Sequence, residues 1–230
     1  MTSRNRIADR PPDARLRIDP DSLGLAPLPR SFFLRDTRRV ARDLLSCWIV
    51  RRWRGAWYGG RIVETEAYLG RRDRAAHSWG GRRTPRVEPM YAAGGHLYVF
   101  LVYGMHHCAN VVTRREGVAE AVLLRAAEPP PSAPPRLLSG PGRLCAGLSI
   151  TTAASGRDLL ASGSVAIVRP RRARRPVVGV SARIGVDYAK EAAAWPLRFF
   201  DADSPAVSGR AAARVSASRR TRRPPRRAGL

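Results

Sequence analysis

The spacing of apolar positions changes several times along the chain, and each change marks an element. Behind Asp36, the residues Val40, Ala41, Leu44 and Leu45 recur at helical spacing, which predicts a short helix over 37–46. From Cys47 the pattern becomes that of strands. β-Branched and aromatic residues fill Cys47–Trp53 and Trp57–Leu69, on either side of Arg54-Gly55-Ala56, and read as an antiparallel pair. Residues 70–95 are rich in Gly, Arg and Pro without a sustained period, and a loop of that length in a compact domain is usually functional. The strand pattern returns in His96–Tyr103 and His106–Thr113. With Gly104-Met105 between them, these predict a hairpin that carries Tyr103 at or near its tip. Ala119–Ala126 predicts a further strand, ended by the prolines of 129–135. Ser139-Gly140-Pro141-Gly142-Arg143 reads as a glycine-proline entry into a helix reaching Leu148, either offering free N–H groups to an anion or simply capped. Val165–Val168 is a strand and 169–175 a basic loop, and Val177–Ile184 with Trp195–Phe200 complete the ordered part.

The ends differ from the body. Residues 1–27 read as a polar leader expected to be disordered, 28–209 as one folded domain, and 210–230 as a disordered tail of arginine, small residues and proline. A length of 230 residues fits a single domain. The net charge is +24, and Lys190 is the only lysine, so the basic excess is arginine. The tail holds 8 arginines and no acid, which leaves the rest of the chain at +16 of that total. Such charge points to a polyanionic partner, and the planar arginine fork suits phosphate. Cys47, Cys108 and Cys145 are odd in number and widely spaced, against a disulfide framework or a metal knuckle, so a reducing compartment is expected. No apolar run has the length of a signal peptide core or a membrane span. The expectation is a soluble intracellular protein, cytoplasmic, and nucleoid-associated in a bacterium.

Against this basic background, Gly60–Gly70 stands out. Strand alternation places Glu64, Glu66 and Tyr68 on one face and Val63, Thr65 and Ala67 on the other. A carboxylate there can activate water against a glycosidic carbon, or either glutamate can be a structural partner of Arg61, Arg51 or Arg125. Tyr68 and His77 can sandwich a flat base, although a lone histidine is commonly a hydrogen-bonded structural imidazole. An aromatic at a hairpin tip, as Tyr103 is, has little core to join and can act as a wedge in a base stack. His106, His107 and Cys108 do not make a metal site, since neighbours on a strand point to opposite faces and no second ligand pair follows.

Several stretches together resemble the alkyladenine (methylpurine) DNA glycosylases: Ala41–Leu45, Gly60–Gly70, Arg74–Ser78, Gly80–Arg86, Tyr98–Asn110, Val122–Ala126 with Glu128-Pro129, Ser139–Leu148 and Pro196–Phe199. They occur in order, at compatible spacing, between Leu34 and Ser208. The resemblance implies a mixed α/β (α+β) single domain with a curved antiparallel sheet, a protruding hairpin and flanking helices. It implies base-excision repair. An alkylated purine of the 3-methyladenine type, or hypoxanthine, would be flipped from double-stranded DNA and its N-glycosidic bond hydrolysed. By resemblance Glu66 is the general base and Arg125 positions the water. Tyr68, His77, Phe100 and Asn110 form the base pocket, Asn110 disfavouring guanine. Tyr103 intercalates, and Arg82 and Arg143 lie near the DNA backbone. No metal or organic cofactor is implied, and a monomer is expected. Phe100 departs from a frequent tyrosine, Arg71-Arg72 from Pro-Glu and Val87 from asparagine, departures that bear on base preference and loop conformation.

With Lys190 as the only lysine, and far along the chain from Glu66, the expectation is a monofunctional enzyme that uses water and forms no Schiff base. Two rivals remain at this level. A noncatalytic Arg-rich nucleic-acid-binding protein explains the charge but not the set Glu66, Tyr68, His77 and Asn110. A nucleic-acid transferase would need a donor motif, and none is visible in the sequence.

Overall fold

A computed structural model describes residues 10–161 and 163–209 of the chain. Its regular elements are β1 (Arg17–Ile18), β2 (Leu25–Pro27), α1 (Arg30–Phe33), α2 (Thr37–Asp43), β3 (Trp48–Trp53), β4 (Ala56–Tyr68), β5 (Leu97–Val102), β6 (His106–Thr113), β7 (Glu120–Glu128), α3 (Pro141–Gly147), β8 (Val165–Pro170), β9 (Val178–Ser181) and β10 (Arg198–Asp201). All ten strands join one antiparallel, open sheet, a mixed helix and strand domain as the resemblance implies. The predicted loop of 70–95 holds only short 3-10 turns, at Gly70–Arg72, Trp79–Gly81 and Glu88–Tyr91.

The long strand β4 organises the sheet. Its first half pairs with β3 along one edge and β1 along the other, and its second half with β10 and β7. The strands cross closely where glycines permit it: a Cβ on Gly60 would lie 2.8 Å from Leu138 Cδ1 and 2.9 Å from Glu128 O. One sheet face buries the main core. There Ala67, Val111, Leu124 and Leu97 meet Val40 and Ala41 of α2 and Leu144 and Cys145 of α3. Asp36 starts α2 by accepting the Arg38 N–H at 3.1 Å, the cap that its position before the apolar repeat predicts.

The opposite face carries the acids, and a double irregularity sets them there. Between Ile62 and Thr65 the register against β7 slips twice, Ile62 facing Ala127, Glu64 facing Ala126 and Thr65 facing Leu124. A bulge of this kind turns consecutive residues to one side. Val63 therefore packs with Phe200, Ala206 and Val207 on the side of Glu64, which corrects the expectation that it shares a face with Thr65 and Ala67. Beyond the bulge the alternation holds: Thr65 Oγ1 donates to Ala41 O of α2, while Glu66 and Tyr68 turn the other way.

The expected leader also needs correction. Leu16 is wholly buried in the main core, Arg17 and Ile18 pair with Tyr58 and Trp57, and Leu25–Pro27 pair with β8, so the folded body begins well before residue 28. Apolar residues set singly among polar residues and prolines carry no period to reveal this docking. Residues 1–9 and the arginine tail of 210–230 lie outside the described residues.

Candidate active site

Glu64 and Glu66, two residues apart on β4, are both fully buried but differently bonded. Glu64 Oε1 accepts from Arg125 Nε (2.8 Å), Arg198 Nε (2.7 Å) and Ser208 Oγ (3.0 Å), and its Oε2 accepts the Ser208 N–H (2.6 Å). Such a carboxylate is saturated. It anchors β10 and the Ser208 segment, and it orients Arg125 across β7. Glu66 has fewer donors: the Ile184 N–H at 2.8 Å on Oε1, the Tyr68 hydroxyl at 2.9 Å on Oε2, and Arg125 Nη1 at 3.3 Å from Oε1. Burial pushes the Glu66 carboxyl above its ordinary value and the charge of Glu64 adds to this, against the Arg125 charge, the Ile184 N–H and the Tyr68 hydroxyl. Of the alternative partners, Arg61 instead bonds Glu128 and Asp201.

A cavity of about 290 Å³ opens in front of these groups, and Tyr68, His77, Phe100, Asn110, Arg125 and Tyr103 all line it. Glu66 lies behind that wall, held by the three lining residues Tyr68, Arg125 and Ile184. The cavity is mostly apolar and aromatic with few polar groups, the usual make-up of a small-molecule site. His77 Nδ1 meets the Tyr98 hydroxyl at 2.7 Å and its ring stands edge-on to Phe100, with centroids 4.5 Å apart. Burial, with Arg86 and Arg82 nearby, pushes His77 down to about 4, so its imidazole is neutral at physiological pH. Asn110 donates its amide N–H groups to Tyr98 O (3.1 Å) and Cys108 O (3.4 Å), which fixes the side chain in the wall.

At the hairpin turn Tyr103 has φ 50° and Gly104 φ 69°, and the tyrosine is 88% exposed, a projecting ring without core contacts. Arg82 and Arg143 do not line this cavity. Both are exposed, Arg82 on a smaller hollow that shares His77 and Tyr188, Arg143 on α3 beside residues 10–13. Lys190 is exposed too and is not a lining residue.

Other residues that build the site escaped the sequence reading. Arg183 and Asp73, both side chains fully buried, bond through two contacts of 2.5 and 2.8 Å and tie the segment carrying Ile184 to the loop after β4. Tyr98 orients His77, and Tyr188, 69% exposed, stands at the cavity mouth. Arg198 lies within the late stretch Pro196–Phe199, a usable signal; the Ile184 N–H, being backbone, leaves none.

The family model described as methylpurine-DNA glycosylase matches residues 31–205. A protein of Desulfitobacterium hafniense (strain Y51) named "Putative 3-methyladenine DNA glycosylase" is 45% identical over 200 residues, covering 79% of this chain and 98% of that protein. Proteins of the same name from Methanocella arvoryzae and Myxococcus xanthus are 45% identical over 196 residues and 46% over 183, covering 80% and 79% of this chain and 96% and 93% of their own lengths.

Proposed function

The chain belongs to the methylpurine-DNA glycosylase family, a family of DNA glycosylases, and from that premise we propose that it removes alkylated purines from duplex DNA. The substrate is a purine of the 3-methyladenine type, with hypoxanthine as a second, flipped out of the helix into the aromatic cavity. The observation that carries this reading is the buried Glu66, raised in basicity and held by fewer donors than Glu64, directly behind a cavity lined by Tyr68, His77, Asn110 and Arg125.

Raised basicity is what a water-activating carboxylate needs. Arg125 lines the cavity 3.3 Å from Glu66, and a water drawn up to the pair is positioned by Arg125 and gives its proton to Glu66. Hydroxide then attacks the anomeric carbon as the glycosidic bond breaks, the base leaves with the bonding electrons, and an abasic sugar remains. Alkylation gives the purine positive charge and makes it a good leaving group. A neutral His77 and Phe100 admit that charge, and Tyr68 offers a face for stacking. Because both Asn110 N–H groups are held by backbone carbonyls, the side chain cannot swing aside for the exocyclic amine of guanine. The reaction uses water alone, without metal or organic cofactor, and the enzyme is monofunctional and monomeric. Arg82, exposed on the hollow next to His77, and Arg143, exposed on α3 two residues beyond the cavity-lining Pro141, meet the DNA backbone. Among the described residues no helix is long and apolar enough to cross a membrane, and the proposed work on DNA is intracellular.

Incubating the protein with an alkylated duplex and identifying freed bases by mass tests the proposal. Alkylated adenine should be released, and the strands should break only after alkali. Release of no base removes the glycosylase reading, and breakage without alkali removes the monofunctional one. Tyr103→Ser should leave the thermal midpoint within about 2 °C of wild type, since an exposed tip residue contributes within about 0.5 kcal/mol. The same change should slow release by tenfold or more, because filling the vacated stack offsets an unstacking cost of about a few kcal/mol. Undiminished release from duplex would take the wedge role from Tyr103.

A further inference from the structure

The sheet face opposite the cavity carries a second concentration of charge. Helix α2 packs there, since Thr65 bonds Ala41 on that side while Glu64 and Glu66 point to the other. The outer surface of α2 exposes Arg38, Arg39 and Arg42, and the loop after β8 exposes Arg171, Arg172 and Arg175. Among the described residues none of these six guanidinium groups has an ion-pair or hydrogen-bond partner. The nearby acids are already engaged, Asp36 by the Arg38 N–H and Arg114, Asp43 by Arg35. The loop is also fastened in place. Ser46 Oγ donates to Arg174 O at 2.8 Å, Arg169 Nη2 donates to Asp43 O at 3.0 Å, and Arg174 pairs with Asp201 and Asp203. Between helix and loop runs a groove of about 560 Å³.

These arginines do not serve a duplex held at the cavity. A domain of this length has a radius of gyration of roughly 16 Å, so its two faces are several Debye lengths of about 8 Å apart at physiological salt. A duplex held at the cavity and at Arg143 on α3 would have to turn round the body to meet α2 and the loop as well. Bending a site of 20–30 base pairs by 40–90° costs about 1–6 kcal/mol, and enclosing the body demands a sharper turn. We infer that the α2 and 169–176 face binds the phosphate backbone of a second duplex segment, so that one molecule bridges two stretches of DNA. Guanidinium groups on a helix and a fastened loop, with a groove between them, suit a sequence-independent backbone contact.

The inference shares with the proposed function only the duplex as partner, and the test keeps the two apart. The full chain is compared with a variant carrying R38Q, R39Q, R42Q, R171Q, R172Q and R175Q, and with the loop half alone (R171Q, R172Q, R175Q). Retention of a labelled duplex on beads bearing a different duplex reads bridging; single-turnover base release from a saturating short damaged duplex reads the cavity. The wild type should bridge, the six-fold variant should lose at least tenfold in retention, and the loop variant should fall between. Base release should stay within twofold in both. The salt dependence of retention should flatten by about 0.9 in logarithmic slope for each phosphate that the variant no longer neutralises. Bridging unchanged in the six-fold variant overturns the inference. So does displacement from this face by single-stranded RNA at lower concentration than by duplex, which would name RNA as the occupant. Absence of base release with bridging intact would refute the glycosylase reading alone.

Discussion

Glu66→Gln is expected to lower base release by about 10²–10⁴-fold, the usual contribution of a general base, while leaving binding of damaged duplex in place. The substitution keeps the shape of the side chain. The amide oxygen can still accept the Ile184 N–H, its NH₂ can donate to the Tyr68 oxygen, and Arg125 keeps its bond to Glu64. What disappears is the proton acceptor. The same change should make the protein more stable at neutral pH. Burial raises the folded-state pKa of Glu66 above the ordinary 4.5, so the group favours the fold fully only below that value. As pH rises through the raised folded value, ionisation withdraws that contribution, and at neutral pH a neutral amide is the better occupant. Each 1 kcal/mol gained would lift the thermal midpoint by about 2–4 °C. Wild-type release should also show an acidic limb centred above 4.5, since only the ionised carboxylate takes a proton, and the variant should lack it. Release within tenfold of wild type would exclude Glu66 as the base, and a lowered midpoint would show that the carboxylate is there for the fold.

The contrast between the two glutamates shows where sequence stops being informative. Alternation put Glu64, Glu66 and Tyr68 on one face of a strand, and they are there. It gave no means of ranking the acids, because the difference lies in groups remote in sequence: Arg198 and Ser208 close around Glu64, and only a backbone N–H comes to Glu66 from that part of the chain. The resemblance singled out Glu66 without saying why its neighbour is unsuited. The hairpin with Tyr103 was legible because strand runs flanking a Gly-containing turn are a local signal. The bulge at Val63 was not, since it depends on the slip of β7 against β4. Docking of Leu16 left no period to read, being one apolar side chain entering a core formed by distant strands.

Asp73→Ala is expected to cost more stability than removal of any exposed charge in this arginine-rich chain. Asp73 accepts bonds from within its own loop and from across to Arg183: Leu69 N–H at 2.9 Å, Ala75 N–H at 3.0 Å, and Arg183 at 2.5 and 2.8 Å. Arg183 in turn donates to Ala67 O (3.0 Å) and Ala192 O (3.1 Å) and lies over the Tyr68 ring, 4.7 Å from its centroid. Removing the carboxylate leaves a buried guanidinium without its counter-charge and two buried backbone N–H groups without an acceptor. Breaking a buried pair in this way costs about 3–5 kcal/mol, or about 6–20 °C in the midpoint of a domain of this size. Catalysis should fall even where the variant is folded, because Arg183 precedes Ile184, whose N–H holds Glu66, and braces Tyr68 in the cavity wall. Adding Arg183→Met to Asp73→Ala removes the stranded charge and should recover part of the midpoint, a non-additivity expected of residues in one network. Base release should not recover with it, since the carbonyls of Ala67 and Ala192 and the Tyr68 ring lose their common anchor. An Asp73→Ala midpoint within about 2 °C of wild type, or a double variant as active as wild type, would show that the pair neither holds the fold nor places the strand of Glu66 and Tyr68.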